Sequence, residues 1–189
     1  MRSPETYDVA VIGAGVVGAA IARELARYEL DVALIEAGPD VGAGTSKANT
    51  AILHTGFDAA PGTLEARLLR RGCALMRAFA EEAGIALERT GALLVAWDPP
   101  QLAALPALRE KAARNGVETQ ALPAARLYEL EPRLGPGALG GLLVPGESII
   151  DPFSPPLAWQ DTPDTRFGLW LLSFPRPDGP PFKPGMLLV

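Results

Sequence analysis

Apolar and polar positions change period several times along this chain of 189 residues, and each change predicts an element. Between Tyr7 and Ile12 the run YDVAVI is short, rich in β-branched residues and bounded by polar residues and glycine, as a parallel strand buried on both faces would be. From Val16 to Tyr28 apolar and small residues recur at helical spacing and leave Arg23, Glu24 and Arg27 for solvent. Asp31 to Ile35, DVALI, returns to strand character. Together they predict a strand, helix, strand crossover of about 30 residues, a connection that is right-handed in nearly every case.

Beyond a glycine-rich loop from Gly38 to Gly44, the spacing predicts a long helix over Thr63 to Ala83. Thr63 is its expected cap, and Leu64, Leu68, Leu75, Met76 and Phe79 form its expected apolar face. Gly84 closes it. Strands are predicted at Ala86 to Arg89, Ala92 to Trp97 and Gly140 to Val144, with helices over Pro99 to Asn115 and Pro123 to Glu129. After Ala158 no period is sustained, and nine of the 19 prolines lie between Pro152 and Pro184, which predicts irregular structure there. The pattern as a whole is α/β at the start and α+β afterwards.

Composition narrows the function classes. A chain that is 48% hydrophobic and 21% charged has the make-up of a globular domain. Its net charge of -5 argues against nucleic acid and acidic membranes as partners. One cysteine, Cys73, excludes an internal disulfide and a cysteine-based metal cluster, and its place in an apolar helix predicts burial. No metal site is expected. The most apolar run, Val9 to Ala22, is broken by Gly13, Gly15 and Gly18 and preceded by Glu5 and Asp8, so it does not read as a secretion signal. With no transmembrane segment expected either, the cytoplasm is the expected location.

The chemistry is concentrated at GAGVVG, where Gly13, Gly15 and Gly18 occupy the turn between the first strand and the first helix. In this context the first glycine permits the tight turn, the second lets a pyrophosphate approach the backbone, and the third lets helix and strand pack closely. The helix then points its unpaired amides and the positive end of its dipole at the phosphates. Glu36 follows Gly18 by 18 residues, at the end of the second strand, where a carboxylate accepts hydrogen bonds from ribose hydroxyls and repels a 2'-phosphate. The unit therefore reads as a Rossmann-type dinucleotide site. FAD and NAD share the adenosine diphosphate that such a site holds; the N-terminal position of the motif and the long loop after Glu36 favour FAD.

Three stretches resemble the FAD-dependent glycerol-3-phosphate dehydrogenases and oxidases, within the larger group of flavoenzymes like D-amino-acid oxidase. They are DVAVIGAGVVGAAIARELARYELDVALIEAG, TSKANTAILHTGFDAAPGTLEARLLRRG and GGLLVPGESIIDPFSP. The resemblance implies FAD contacts from Gly13, Gly15, Val17, Gly18, Glu36, Thr45, Ser46, Thr50, Ala51 and Ile52. It implies substrate contacts from Thr50 and His54, with His54 as the catalytic base. Imidazole suits that task, because its ordinary pKa of about 6.5 lies close to working pH. On residue type alone, Thr45, Ser46 and Thr50 also suit turns and caps. The implied reaction is oxidation of the secondary alcohol of glycerol 3-phosphate to dihydroxyacetone phosphate, and oxidation of a 2-hydroxy acid such as L-2-hydroxyglutarate is the alternative.

The same resemblance implies an organisation. Residues 1–85 would form the N-terminal part of a Rossmann-like FAD-binding domain with its long helix, residues 86–158 part of an α+β substrate domain, and residues 159–189 an irregular proline-rich tail outside the family pattern. Relatives continue well beyond this length, so the chain is expected to be truncated. It would then act as an enzyme only in part, or as a nucleotide-binding fragment whose sheet is completed in a homo-oligomer or by another chain.

Overall fold

A computed structural model of the chain describes residues 6–159 and 167–171. In chain order the elements are β1 (Val9–Ile12), α1 (Val16–Leu25), β2 (Val32–Glu36), β3 (Ile52–Leu53), α2 (Leu64–Glu82), β4 (Leu87–Glu88) and β5 (Ala92–Ala96). There follow α3 (Pro99–Arg114), β6 (Gln120–Pro123), α4 (Ala124–Leu130), β7 (Gly140–Val144), β8 (Ser148–Ile150), α5 (Ser154–Ala158) and β9 (Phe167–Leu171). They fall into two compact units, one of the described residues up to Thr50 together with those from Asp151 onward, the other of Ala51–Ile150. The divisions thus lie after Thr50 and Ile150 rather than after residues 85 and 158. The reason is pairing: β8 lies between β3 and β4, which draws Ile52 and Leu53 into the later unit.

In the first unit β1, β2 and β9 form a parallel sheet in the order β1-β2-β9, with Val9 opposite Val32 and Val32 opposite Phe167. β2 is the central strand and the buried one. Val32 and Leu34 are wholly inaccessible and form a core with Ala14, Ala22 and Val41, against which Val9, Val11, Leu25 and Leu30 pack. Each fully buried side chain of this size contributes about 1.5–3 kcal/mol. β1 departs from the expectation of a strand covered on both faces. Val9 and Val11 turn to the core, but Ala10 and Ile12 are exposed, Ile12 at 85%, because β1 has a strand on one side only among the described residues. The expected irregular tail also needs correction: Phe167–Leu171 is a strand parallel to β2. FGLWL is a short apolar run of the kind that a parallel strand uses, masked in composition by the prolines around it. The rest of the tail, residues 160–166 and 172–189, lies outside the described residues.

The second unit holds two antiparallel sheets, ordered β3-β8-β4 and β5-β7-β6. α3 begins where Asp98 accepts the Gln101 amide and Pro99 takes the first position, and Leu105 and Leu108 pack it onto Ala96, Leu94 and Leu142 of β5 and β7. α2 is capped as expected, with the Thr63 hydroxyl accepting from the Ala66 amide. Its buried face differs from the expected one. Phe79 and Cys73 are buried as expected, but Leu64, Leu68 and Leu75 are exposed, while Ala80 is buried and Leu69 packs against Gly56. α2 carries two apolar stripes at helical spacing, and the sequence period cannot say which one the fold covers. Burial pushes the Cys73 thiol above its ordinary value, against a smaller opposing effect of the Arg77 charge.

Candidate active site

The glycine turn is built as the sequence requires. Gly13 has φ +96°, a conformation that glycine adopts without steric cost, and a Cβ there would meet nothing within 4 Å. At Gly18 the constraint is contact instead: a Cβ would lie 1.8 Å from the Gly13 carbonyl oxygen. Helix α1 and the turn can approach this closely only with glycine at 18. The Gly13 amide donates to the Ile35 carbonyl at 2.7 Å, which ties the turn to the end of β2.

Glu36 closes the cradle from the end of β2. Its Oε2 accepts the Ala14 amide and its Oε1 accepts the Gly38 amide, each at 2.7 Å. A carboxylate oxygen has a second lone pair, so Glu36 retains acceptor capacity for hydroxyls while it holds the loop. Ser46 reaches the N-terminus of α1, where its Oγ accepts the Val16 amide at 2.8 Å and lies 3.1 Å from where a Gly15 Cβ would stand. The loop that carries Ser46 is fastened by the Asn49 side-chain amide on the Ser46 carbonyl and by Lys47 Nζ on Asp40 at 2.7 Å. That hydrogen bond, with one from the Val41 amide, holds the Asp40 carboxyl below its ordinary value. Thr45, Thr50 and Val17 are exposed. The open space at Gly13, the first-turn amides of α1 beyond Val16, which have no partner within the helix, and the acceptor at Glu36 fit the adenosine diphosphate half of FAD.

The remaining predicted site residues belong to the second unit. Ala51 has φ +60°, the one positive φ outside glycine among the described residues, and strain of this kind gathers at functional positions. Ile52 is exposed on β3, paired with Ile149 of β8. His54 follows β3 with its side chain 52% exposed, and its Nδ1 stands 3.3 Å from Oε2 of Glu147, whose side chain is only 3% exposed. The other carboxylate oxygen of Glu147, Oε1, accepts both the Thr55 amide at 2.8 Å and the Thr55 hydroxyl at 2.6 Å. Buried carboxylates need such partners, and Thr55 supplies two donors to this one.

The backbone on either side of this pair is held as well. The Gly91 amide donates to the Glu147 carbonyl at 3.0 Å, and Arg77 of α2 donates through Nη2 to the Gly146 carbonyl and, at 3.3 Å, to the Ser148 hydroxyl. Asn115, itself buried, donates to the carbonyls of Gly56 and Ala59 at 2.9 and 2.8 Å and so fixes the chain just after Thr55. Reading the sequence missed Glu147, Arg77 and Asn115. For Glu147 a signal existed: it is the only acid between Glu131 and Asp151, set in the apolar and glycine-rich run GGLLVPGESII.

Comparisons with known proteins place the chain in a family. Residues 8–154 match the family model described as FAD dependent oxidoreductase (DAO). The chain is 41% identical over 148 residues to a glycerol 3-phosphate dehydrogenase of Caloramator mitchellensis, covering 78% of this chain and 31% of that protein. It is 32% identical over 146 residues to L-2-hydroxyglutarate dehydrogenase of Escherichia coli (strain K12), covering 76% of this chain and 34% of that protein. Its fold matches that of L-alpha-glycerophosphate oxidase from Mycoplasma pneumoniae with FAD bound, with a TM-score of 0.81 and 30% identity over 88% of this chain and 45% of the other. The chain thus spans about a third of the length of these curated relatives, and less than half of the solved structure. Among the described residues no helix is long and apolar enough to cross a membrane. A match over residues 8–154, most of the chain, establishes that the chain belongs to the DAO family of FAD-dependent oxidoreductases, whose cofactor is FAD.

Proposed function

We propose that this chain supplies the nucleotide cradle and the catalytic base of an oxidoreductase acting on a secondary alcohol, with sn-glycerol 3-phosphate as substrate and dihydroxyacetone phosphate as product. The observation that carries the proposal is His54: a half-exposed imidazole backed by a buried carboxylate, in a chain that also has the glycine cradle. Gly13, Gly15 and Gly18, with the first turn of α1, hold the pyrophosphate of FAD, and Glu36 holds the ribose. Val17, Thr45, Ser46, Thr50, Ala51 and Ile52 make further contacts with it. Bound FAD supplies an acceptor for the hydride of the alcohol carbon. His54 takes the hydroxyl proton, and Thr50 offers the substrate a hydroxyl partner. A positioned base of this kind contributes about 10²–10⁴-fold to the rate.

The 41% identity to a glycerol 3-phosphate dehydrogenase supports this substrate over a 2-hydroxy acid, for which the relative quoted above is 32% identical. Both substrates carry a secondary alcohol and an anionic group, so the same base serves either. The test is anaerobic reduction of the FAD-reconstituted chain, followed at the visible flavin band with glycerol 3-phosphate and L-2-hydroxyglutarate added in separate runs. Bleaching by glycerol 3-phosphate is the expected result. Bleaching by the hydroxy acid alone transfers the proposal to that substrate; bound flavin that neither bleaches leaves a non-catalytic nucleotide-binding unit.

A further inference from the structure

We propose that Glu147 is the positioning residue of His54, holding its ring as the tautomer with the proton on Nδ1 so that Nε2 is the nitrogen left to accept a proton. The inference concerns the ring itself, and its catalytic consequence rests on the reading of His54 as the base. Two features of the contact lead to it. Nδ1 faces Oε2 at 3.3 Å, and a carboxylate oxygen only accepts, so the nitrogen beside it is the one that carries hydrogen. The carboxylate cannot turn away, because Oε1 is engaged by both the amide and the hydroxyl of Thr55. The backbone at Glu147 is equally fixed, between the Gly91 amide on its carbonyl and the clamp of Arg77 on Gly146 and Ser148.

The arrangement fixes which proton goes where. The alcohol O–H bond breaks as an Nε2–H bond forms, while the Nδ1 proton stays on its side of the ring, facing Glu147. The ring gains a positive charge in this step and the neighbouring carboxylate compensates it. With the other tautomer Nε2 would already carry hydrogen and could accept none.

Replacement by glutamine makes the sharpest test, because it keeps the shape and reverses the polarity. The Thr55 amide can only donate, so in Glu147→Gln the side-chain oxygen stays at the Oε1 position and the NH₂ group faces His54. Nδ1 must then accept, and the proton moves to Nε2. His54 is the only histidine of the chain, so long-range proton–nitrogen spectra of the 15N-labelled protein report this one ring without assignment work. For the neutral ring of the unaltered chain, the expected result is a protonated Nδ1 and an unprotonated Nε2, the reverse of the preference of free histidine. In Glu147→Gln the two are expected to exchange, and turnover of the FAD-loaded chain is expected to fall about 10²–10⁴-fold with KM little changed, as misplacing the tautomer does in a serine-protease triad. An unaltered chain whose ring carries hydrogen on Nε2, or an equal tautomer ratio in both proteins, overturns the proposal. Should the variant not fold, the spectrum of the unaltered chain decides alone. A chain that shows the Nδ1 tautomer yet never reduces its flavin upholds Glu147 as the partner of the ring and removes the reading of His54 as a base.

Discussion

The glycine cradle and the His54 corner are built in opposite ways. The cradle is local: β1, the turn, α1 and β2 follow one another within Val9–Glu36, and Glu36 reaches back only 22 residues to the Ala14 amide. The His54 corner joins residues more than 90 apart, since Thr55 and Glu147 meet only because β3 pairs with β8. The first is held by backbone shape and tolerates almost no change of size at Gly18. The second is held by a buried polar network, where polarity matters more than volume. On the proposed reading, proton transfer can be lost while nucleotide binding is kept, and the variants below separate the two.

The largest effect is expected at His54. His54→Ala removes the proposed base, and reduction of bound flavin by glycerol 3-phosphate should slow by about 10²–10⁴-fold, measured by stopped-flow absorbance, with FAD affinity unchanged. Next comes Gly18→Ala, whose Cβ would stand 1.8 Å from a backbone oxygen that has no side-chain freedom to yield. Overpacking there should cost about 3 kcal/mol or more, read by chemical denaturation, with loss of FAD binding. Third is Glu36→Ala, which leaves the Ala14 and Gly38 amides without their acceptor and removes the proposed ribose partner. FAD affinity should fall about 10–100-fold by fluorescence titration, at unchanged turnover of whatever flavin remains bound.

Two smaller effects sharpen the comparison. Asn115→Ala frees the carbonyls of Gly56 and Ala59 and should cost about 1–2 kcal/mol of stability by denaturation, with turnover affected more than FAD binding because the chain beside Thr55 loosens. The smallest concerns Asp40, whose carboxyl is held below its ordinary value by Lys47 and the Val41 amide. A depressed folded-state value means a contribution present above the unfolded value of about 3.9 and lost as pH falls through the folded one. Because Asp40 is exposed, its effect is modest, and an acid titration of stability should show slightly less loss in Asp40→Asn than in the unaltered chain.

What the sequence revealed follows the same division. The cradle is legible in its element order and in the places of its glycines and of Glu36, because glycine spacing, strand periodicity and the terminal acid lie within one continuous stretch and each has a local physical cause. The cap at Thr63 and the helix begun by Asp98 and Pro99 are legible for the same reason. The family resemblance implies a cofactor contact for Ser46, and the fold sets it at the N-terminus of α1, a position that its residue type allows and its neighbours in sequence do not specify. His54 was visible through a resemblance to a family, but its partner was not. Nothing near Glu147 in sequence says that β8 will lie beside β3, and strands of two or three residues give no periodicity to read. α2 shows the limit from another side: both of its apolar stripes are helical, and only the packing of Leu69 against Gly56 and the burial of Cys73 and Ala80 chose between them.

The central claim is that nucleotide binding and proton transfer are lodged in separate parts of the chain. FAD titration of three proteins, the unaltered chain, Gly18→Ala and His54→Ala, tests it directly through quenching of flavin fluorescence. Equal affinity for the unaltered chain and His54→Ala, with binding lost in Gly18→Ala, is the predicted result. Binding lost equally in His54→Ala and Gly18→Ala would contradict it, since the two parts would then be one.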